Sequence, residues 1–459
     1  MRRSIAAVLA STVICVSPVA LDVSVAEPVG TDRAEIPRRP LVPTMTISRN
    51  VSLTAAQARL VTTGARAGDA VGHPIRYATV GLTAHTRDVR SLLSLRGTWR
   101  LPMYTKIASV DFFRAVGGDA LADVLARGDV VMGETAASVR KARVGDVFTL
   151  RSRSFKARQF TVGAIVADEF VDSGDLAIAT PVMSERLGLP SISRVTITDI
   201  DTPTRVLKGL RSKGVVPGPA WRLRTSWDAP NPDGTLGLAT VKKMFGEVTY
   251  RPNGGSAVLI DQQWALRNIS WKRLYDGIPL QHNCHRVVAD ALQKALNEIA
   301  AKGLAGLIDA ANTNRYGGCL TTRYSRLAGA FPGLSRHAYG IAVDLNPSTN
   351  QQGTTPTIDC RVVRIMRKWG FAWGGNFWPA DGMHFEWVGE PRHEWGYPSR
   401  FCANPSMVPK VKFPTTPPTT TPPTTAPPTT TTSSATSSVP AVDTTSPPAE
   451  TTASVTSVP

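Results

Sequence analysis

The run Ser335-Arg336-His337-Ala338-Tyr339-Gly340-Ile341-Ala342-Val343-Asp344, followed later by Asp381-Gly382-Met383-His384, organises the reading of this chain. It offers His337, Asp344 and His384 as donors to one metal ion and a second carboxylate, Asp381, three residues before the last imidazole. Zinc catalysis asks for such a set: three protein ligands, an open fourth position for water, and a nearby base. His337 and Asp344 stand seven apart, a spacing that no single helix or strand face requires. A loop carrying His337 and a strand ending in Asp344 bring both to one point, with Gly340 permitting the turn and Ala342 leaving room beneath. His384 arrives from a later strand. Glu386 shares its face two residues on and is placed to orient a ligand. Asp381 is set to take a proton from the attacking water and pass it to a leaving amine. Taken singly, each residue reads as a surface histidine or a capping aspartate; the combination points to Zn²⁺.

The elements around the run predict an α+β fold with a mainly antiparallel sheet flanked by helices. The segment from Cys284 to Lys302 places Val287, Val288, Leu292, Ala295, Leu296 and Ile299 on one helical face, closed by Gly303. A second helix runs from Cys360 to Trp369, with Val362, Val363, Met366 and Trp369 inward and Gly370 as its stop. Strands are expected at 307–310, 340–345, 371–375 and 383–388, and a polar loop at 312–326. The domain bearing the cluster is taken as 251–412, cut from what precedes it near Arg251-Pro252-Asn253-Gly254-Gly255.

Residues 43–250 read as a separate α+β domain. Short Val/Ile/Thr/Phe runs are broken by Gly, Pro, Asp and Asn, with strands at 148–150 and 160–167 and helices at 121–127 and 136–142. No metal cluster or catalytic constellation is visible there, and His73 and His85 stand alone. From Pro414 onward the chain is Pro, Thr, Ser, Ala and Val with almost no charge, a composition that cannot bury a core; 413–459 is expected to be a disordered spacer or stalk.

The ends and the cysteines suggest where the chain works. A short basic start, an apolar stretch to Leu21 and the small residues Ser24 and Ala26 read as a signal peptide, 1–26, followed by a linker, 27–42. No other segment is long and apolar enough to span a bilayer. Cys15 leaves with the signal, and Cys284, Cys319, Cys360 and Cys402 read as two disulfides of an exported chain. Three pairings are open, with Cys360–Cys402 expected among them. The formal charge is +17, and a basic exported chain associates with anionic polymers such as a cell wall. Export and the lack of a recognisable binding module argue against nucleic acid as the partner.

The pattern S-x-H-x-x-G-x-A-x-D followed by D-x-x-H resembles the zinc peptidases of peptidoglycan, which include D-Ala-D-Ala dipeptidases and carboxypeptidases and the L-Ala-D-Glu endopeptidases of phage lysins. The resemblance implies His337, Asp344 and His384 as zinc ligands, Asp381 as catalytic base, and peptidoglycan stem peptides as substrate. Asp rather than Glu at position 381 is closer to the endopeptidase branch, as are Asn314-Arg315-Tyr316-Gly317-Gly318-Cys319 and Arg323. The Tyr-Arg-Ser/Thr segment common in the carboxypeptidases is absent. Family members hold the substrate with an arginine before the ligand loop, which implies Arg323, or else Arg326; Ser335 stands at the position of a serine that hydrogen-bonds substrate. Tyr316 is a further candidate. Trp373, Trp378, Trp387 and Trp395 are candidates for a glycan groove, at least two of them being expected in the core. Residues 129–190 resemble the extracellular core domain of permeases of the macrolide-exporter class, without the membrane helices that flank it there. Two readings follow: a secreted, wall-associated zinc peptidase, or a catalytically silent wall-binding protein that keeps the fold. An intact set of four favours the first.

Overall fold

The computed structural model describes residues 36–405 apart from 153–156, 229, 271–277, 279–282, 310–318, 326–330 and 397–398. The expected signal peptide, most of the linker, the Pro/Thr tail, Tyr316 and Arg326 lie outside the described residues. Among the described residues no helix is long and apolar enough to cross a membrane. The fold is α+β.

The N-terminal half is built on one ten-stranded sheet. Its strands are β1 (Met45–Leu53), β2 (Val71–Arg87), β3 (Arg90–Ser94), β4 (Leu101–Ala108), β5 (Val130–Gly133), β6 (Val147–Arg151), β7 (Ala157–Val166), β8 (Leu176–Ala179), β9 (Ile192–Thr198) and β10 (Arg222–Thr225). They are ordered β10-β1-β9-β2-β4-β8-β5-β7-β6, with β3 on β2, and β6 pairs back with β2, so six strands close into a ring. The ring is filled by Val80, Leu82, Met103, Phe148, Leu150, Phe160 and Ile178, all buried. Helices Val110–Ala126 and Glu134–Arg140 cover the expected helical segments, the first kinked at Gly118. His73 and His85 are buried and partnered by Thr198 and Asp146.

The C-terminal half holds a three-stranded antiparallel sheet in which His384–Trp387 lies between Ala342–Asp344 and Phe371–Trp373. Helices Arg286–Ala301 and Cys360–Lys368 pack on it, stopped by Gly303 and Gly370 at positive φ, as read from the sequence. Two details differ. Val287 is 46% exposed while Ala289 is buried, because the helix begins only at Arg286 and its inward face starts at Val288. In place of a strand at 307–310, Ala305–Leu307 makes a 3-10 turn, and the Asp309 amide donates to the Asn346 side chain rather than to a sheet. The disulfides are Cys284–Cys319 and Cys360–Cys402.

The two halves are mortared together by residues 233–250. On the helix Leu238–Phe245, Leu238, Val241 and Phe245 join the C-terminal core, while Ala239 joins the N-terminal one. Lys242, fully buried, reaches 2.6 Å to Asp175 on the sheet side. Asp233 pairs at 2.6 Å with Arg367 of the C-terminal helix, both side chains fully buried, and also accepts from the Trp373 amide and from Asn376. Buried charges of this kind need a partner on the spot.

Candidate metal centre and its cleft

Ser335 caps a 3-10 turn, Arg336–Tyr339, by accepting from the His337 amide. Gly340 then takes φ +68°, and a Cβ there would meet the His285 amide at 2.8 Å, so the turn that presents His337 requires glycine. The chain runs straight on into Ala342–Asp344, and Asp344 pairs in register with His384 on the neighbouring strand. Gly374 is equally constrained: a Cβ would sit 2.4 Å from the Asp381 carbonyl oxygen and 3.0 Å from His384 Cβ. The turn from Asp381 to His384 closes through the His384 amide donating to the Asp381 carbonyl.

Three side-chain atoms converge. His337 Nε2 lies 3.3 Å from His384 Nδ1 and 3.3 Å from Asp344 Oδ1, and His384 Nδ1 lies 3.2 Å from the same oxygen. Zinc–donor bonds of about 2.0–2.1 Å in a tetrahedron place neighbouring donors about 3.3–3.4 Å apart. The triangle therefore has the size of three corners of a zinc tetrahedron. The tautomer agrees. His337 Nδ1 faces the Cys319 carbonyl oxygen at 3.1 Å, an acceptor only, so it carries the proton and Nε2 turns its lone pair inward. Three lone-pair donors aimed at one point repel unless a cation lies between them. Burial opposes charge on Asp344, yet the neighbouring imidazoles hold its carboxyl well below the usual carboxylate range. Burial would likewise lower His384, but the Asp344 carboxylate at its Nδ1, with the carboxylates of Glu386 and Asp381 nearby, raises it to about 10. The donor set fits Zn²⁺.

The cluster opens on a cleft of about 820 Å³ that also contains Asp381, Arg323 and Ser335. Asp381 Oδ2 accepts from the Gln352 amide at 3.2 Å. Ser335 is 7% exposed, its hydroxyl engaged in the cap. Trp378 lines the cleft, whereas Trp373 is fully buried and Trp387 packs against the core.

The sequence reading missed three contributions. Gln352 sits in a polar loop with no periodicity to mark it. Arg336 lies inside the motif at a variable position; its Nε meets Glu386 at 2.9 Å and its Nη2 donates to the Leu236 carbonyl at 2.6 Å, so Glu386, 3.8 Å from His384 Nε2, is held from the connecting segment. The far wall of the cleft comes from the N-terminal half: Tyr77 and Tyr104 on its sheet, and Asp172 at the end of the 3-10 helix Asp168–Val171. Asp172 accepts from Lys106 at 3.1 Å and Arg194 at 2.7 Å, and also from Tyr77. No sequence signal ties those positions to the motif.

Residues 329–387 match the family model of D-alanyl-D-alanine carboxypeptidase. The match contains His337, Asp344, Asp381 and His384, and it bears out the resemblance read from the ten-residue run: residues 329–387 are similar to a peptidase family. Among solved structures, the periplasmic region of MacB from Actinobacillus actinomycetemcomitans is similar at 16% identity and a TM-score of 0.25, over 44% of this chain and 91% of that one. No curated protein matches the chain.

Proposed function

We propose that this protein is an exported zinc peptidase that hydrolyses an amide bond in peptidoglycan stem peptides, of the L-Ala-D-Glu endopeptidase or D-Ala-D-Ala carboxypeptidase type. The observation that carries the reading is the donor triangle of His337, Asp344 and His384, with sides of 3.2–3.3 Å, facing a cleft that holds Asp381. Zinc in that triangle would supply Lewis acidity to the scissile carbonyl and to a water in its open position. The protein does the rest. Asp381, oriented by Gln352, takes the proton of the attacking water and delivers it to the departing amine, so that water adds across the C–N bond and leaves a carboxylate and an amine. Arg323 and Ser335 flank the path of the substrate. His337 and His384 are held in tautomer and orientation by the Cys319 carbonyl and by Glu386.

Export is supported by the signal-like start and by two disulfides, and the basic charge suits retention at an anionic wall through salt-sensitive contacts. The test is direct. The purified chain should bind about one zinc and release new amino termini from purified peptidoglycan, identified by mass spectrometry, and a chelator should abolish the release. Full activity in a rigorously metal-free preparation would sink the reading.

A further inference from the structure

A second cavity, of about 600 Å³, adjoins the cleft and shares Phe377 and Trp378 with it. The Phe377 ring stands 5.9 Å, centroid to centroid, from the His384 imidazole, so a single aromatic ring separates this groove from the donor triangle. Both halves of the molecule build it: Trp221 and Asn50 come from the edge of the N-terminal sheet, and Asn231, Trp378 and Phe401 from beyond it. Aromatic faces alternate with amides, hydroxyls and guanidinium groups, and no carboxylate is among the described lining residues. The Trp378 indole nitrogen and the Ser399 hydroxyl in its walls have no hydrogen-bond partner among the described residues. Apolar ring faces beside polar donors and acceptors suit a pyranose, whose C–H face stacks while its hydroxyl and acetamido groups hydrogen-bond. The volume is that of a small-ligand site.

We propose that this groove is a saccharide subsite for the N-acetylated sugar that bears the stem peptide, with the peptide passing over Phe377 to the donor triangle. The proposal rests on the peptidase reading and sharpens it. Only the Phe377 ring lies between groove and triangle, so a stem peptide that starts at the sugar reaches the triangle with its first residues. The bond brought to the triangle is then near the sugar-bearing end of the stem, the L-Ala–D-Glu bond rather than the D-Ala–D-Ala bond.

The experiment uses the full chain. Titration calorimetry with N,N′-diacetylchitobiose, a probe without peptide, should show binding that Trp221→Ala weakens about tenfold, the scale of losing an aromatic anchor. Asn50→Ala, at an exposed position outside the core, should weaken it less, and His384→Ala should leave it intact. In hydrolysis, a disaccharide-pentapeptide should be preferred over the free pentapeptide by about tenfold or more in kcat/KM, and Trp221→Ala should bring that ratio towards one. Absence of chitobiose binding together with a wild-type ratio near one overturns the subsite and leaves the peptidase reading standing. Chitobiose bound at Trp221, with neither peptide hydrolysed, overturns the peptidase reading and keeps the subsite. Release of D-Ala as the first product overturns the placement of the bond.

Discussion

The segment 335–387 and the sheet of residues 45–225 face each other across one cleft, yet only the first announces itself in the sequence. The metal centre needs particular side chains at particular spacings, because three donor atoms must meet within a bond length or two of one point. The opposing wall needs only a surface of suitable shape and polarity. Tyr77 and Tyr104 reach it from two strands and Asp172 from the turn that ends a 3-10 helix, and nothing in their order along the chain marks them as neighbours of His384. Chemistry leaves a motif where a wall leaves none, so residues that look inert can still decide what a site accepts.

The largest expected effect probes whether the two regions are separable. A fragment 251–412 would lack Leu238, Val241, Phe245, Val248 and Tyr250 of the C-terminal core and would strand buried Arg367 without Asp233. It should show no cooperative melting transition, whereas a fragment starting near 230 regains those groups. A sharp melt of the 251–412 fragment, with zinc bound, would restore the independence that the Pro/Gly punctuation suggests.

The next test sits inside the motif. Asp381→Ala should keep zinc while losing about 10²–10⁴-fold in kcat, as expected of a lone general base, whereas His337→Ala should lose metal and activity together. Metal analysis beside stem-peptide kinetics separates the roles, and a zinc-free Asp381 variant would make that carboxylate a ligand.

Lys242→Met weighs the mortar. It leaves buried Asp175 with Arg140 as its remaining side-chain partner, and breaking a buried pair costs about 3–5 kcal/mol. Urea unfolding should show both halves destabilised together. Loss confined to one half would mean that the contact is dispensable to the other.

The smallest effect lies far from the cleft. Burial opposes the charge on Glu298, but Lys368, Lys302 and the Trp369 indole hold its pKa down at about 2 against the usual 4.5. Its contribution is therefore present above pH 4.5 and lost as the pH falls through 2. Exposure of the lysine partners limits it to about 1 kcal/mol. Glu298→Gln should flatten that part of the acid limb of a stability–pH curve, and an unchanged curve would discount the network.

Several features were legible in the residues alone. The helices at 286–301 and 360–368 follow from 3.6-residue periodicity and glycine stops, because local sterics and one buried face suffice to specify them. The donor set was legible as well: the turn at Gly340 and the strand to Asp344 are local events, and His384 is called to the same point by the rarity of its pattern. Val287 was misassigned because periodicity alone does not say where the inward face begins. The extended reading of 307–310 failed because the Asp309 amide finds its acceptor in Asn346, 37 residues away.

What the sequence by itself determined, then, is the set of candidate donors within 337–384 and the helices and strands that present them, since these depend on side-chain identity and short-range geometry. The 3.2–3.3 Å triangle, the grip of Gln352 on Asp381 and the wall lent by the N-terminal half were decided by tertiary structure. Each depends on contacts between residues distant along the chain, and such contacts are settled only when buried charges such as Lys242 and Arg367 find their partners and the two cores close on the helix Leu238–Phe245.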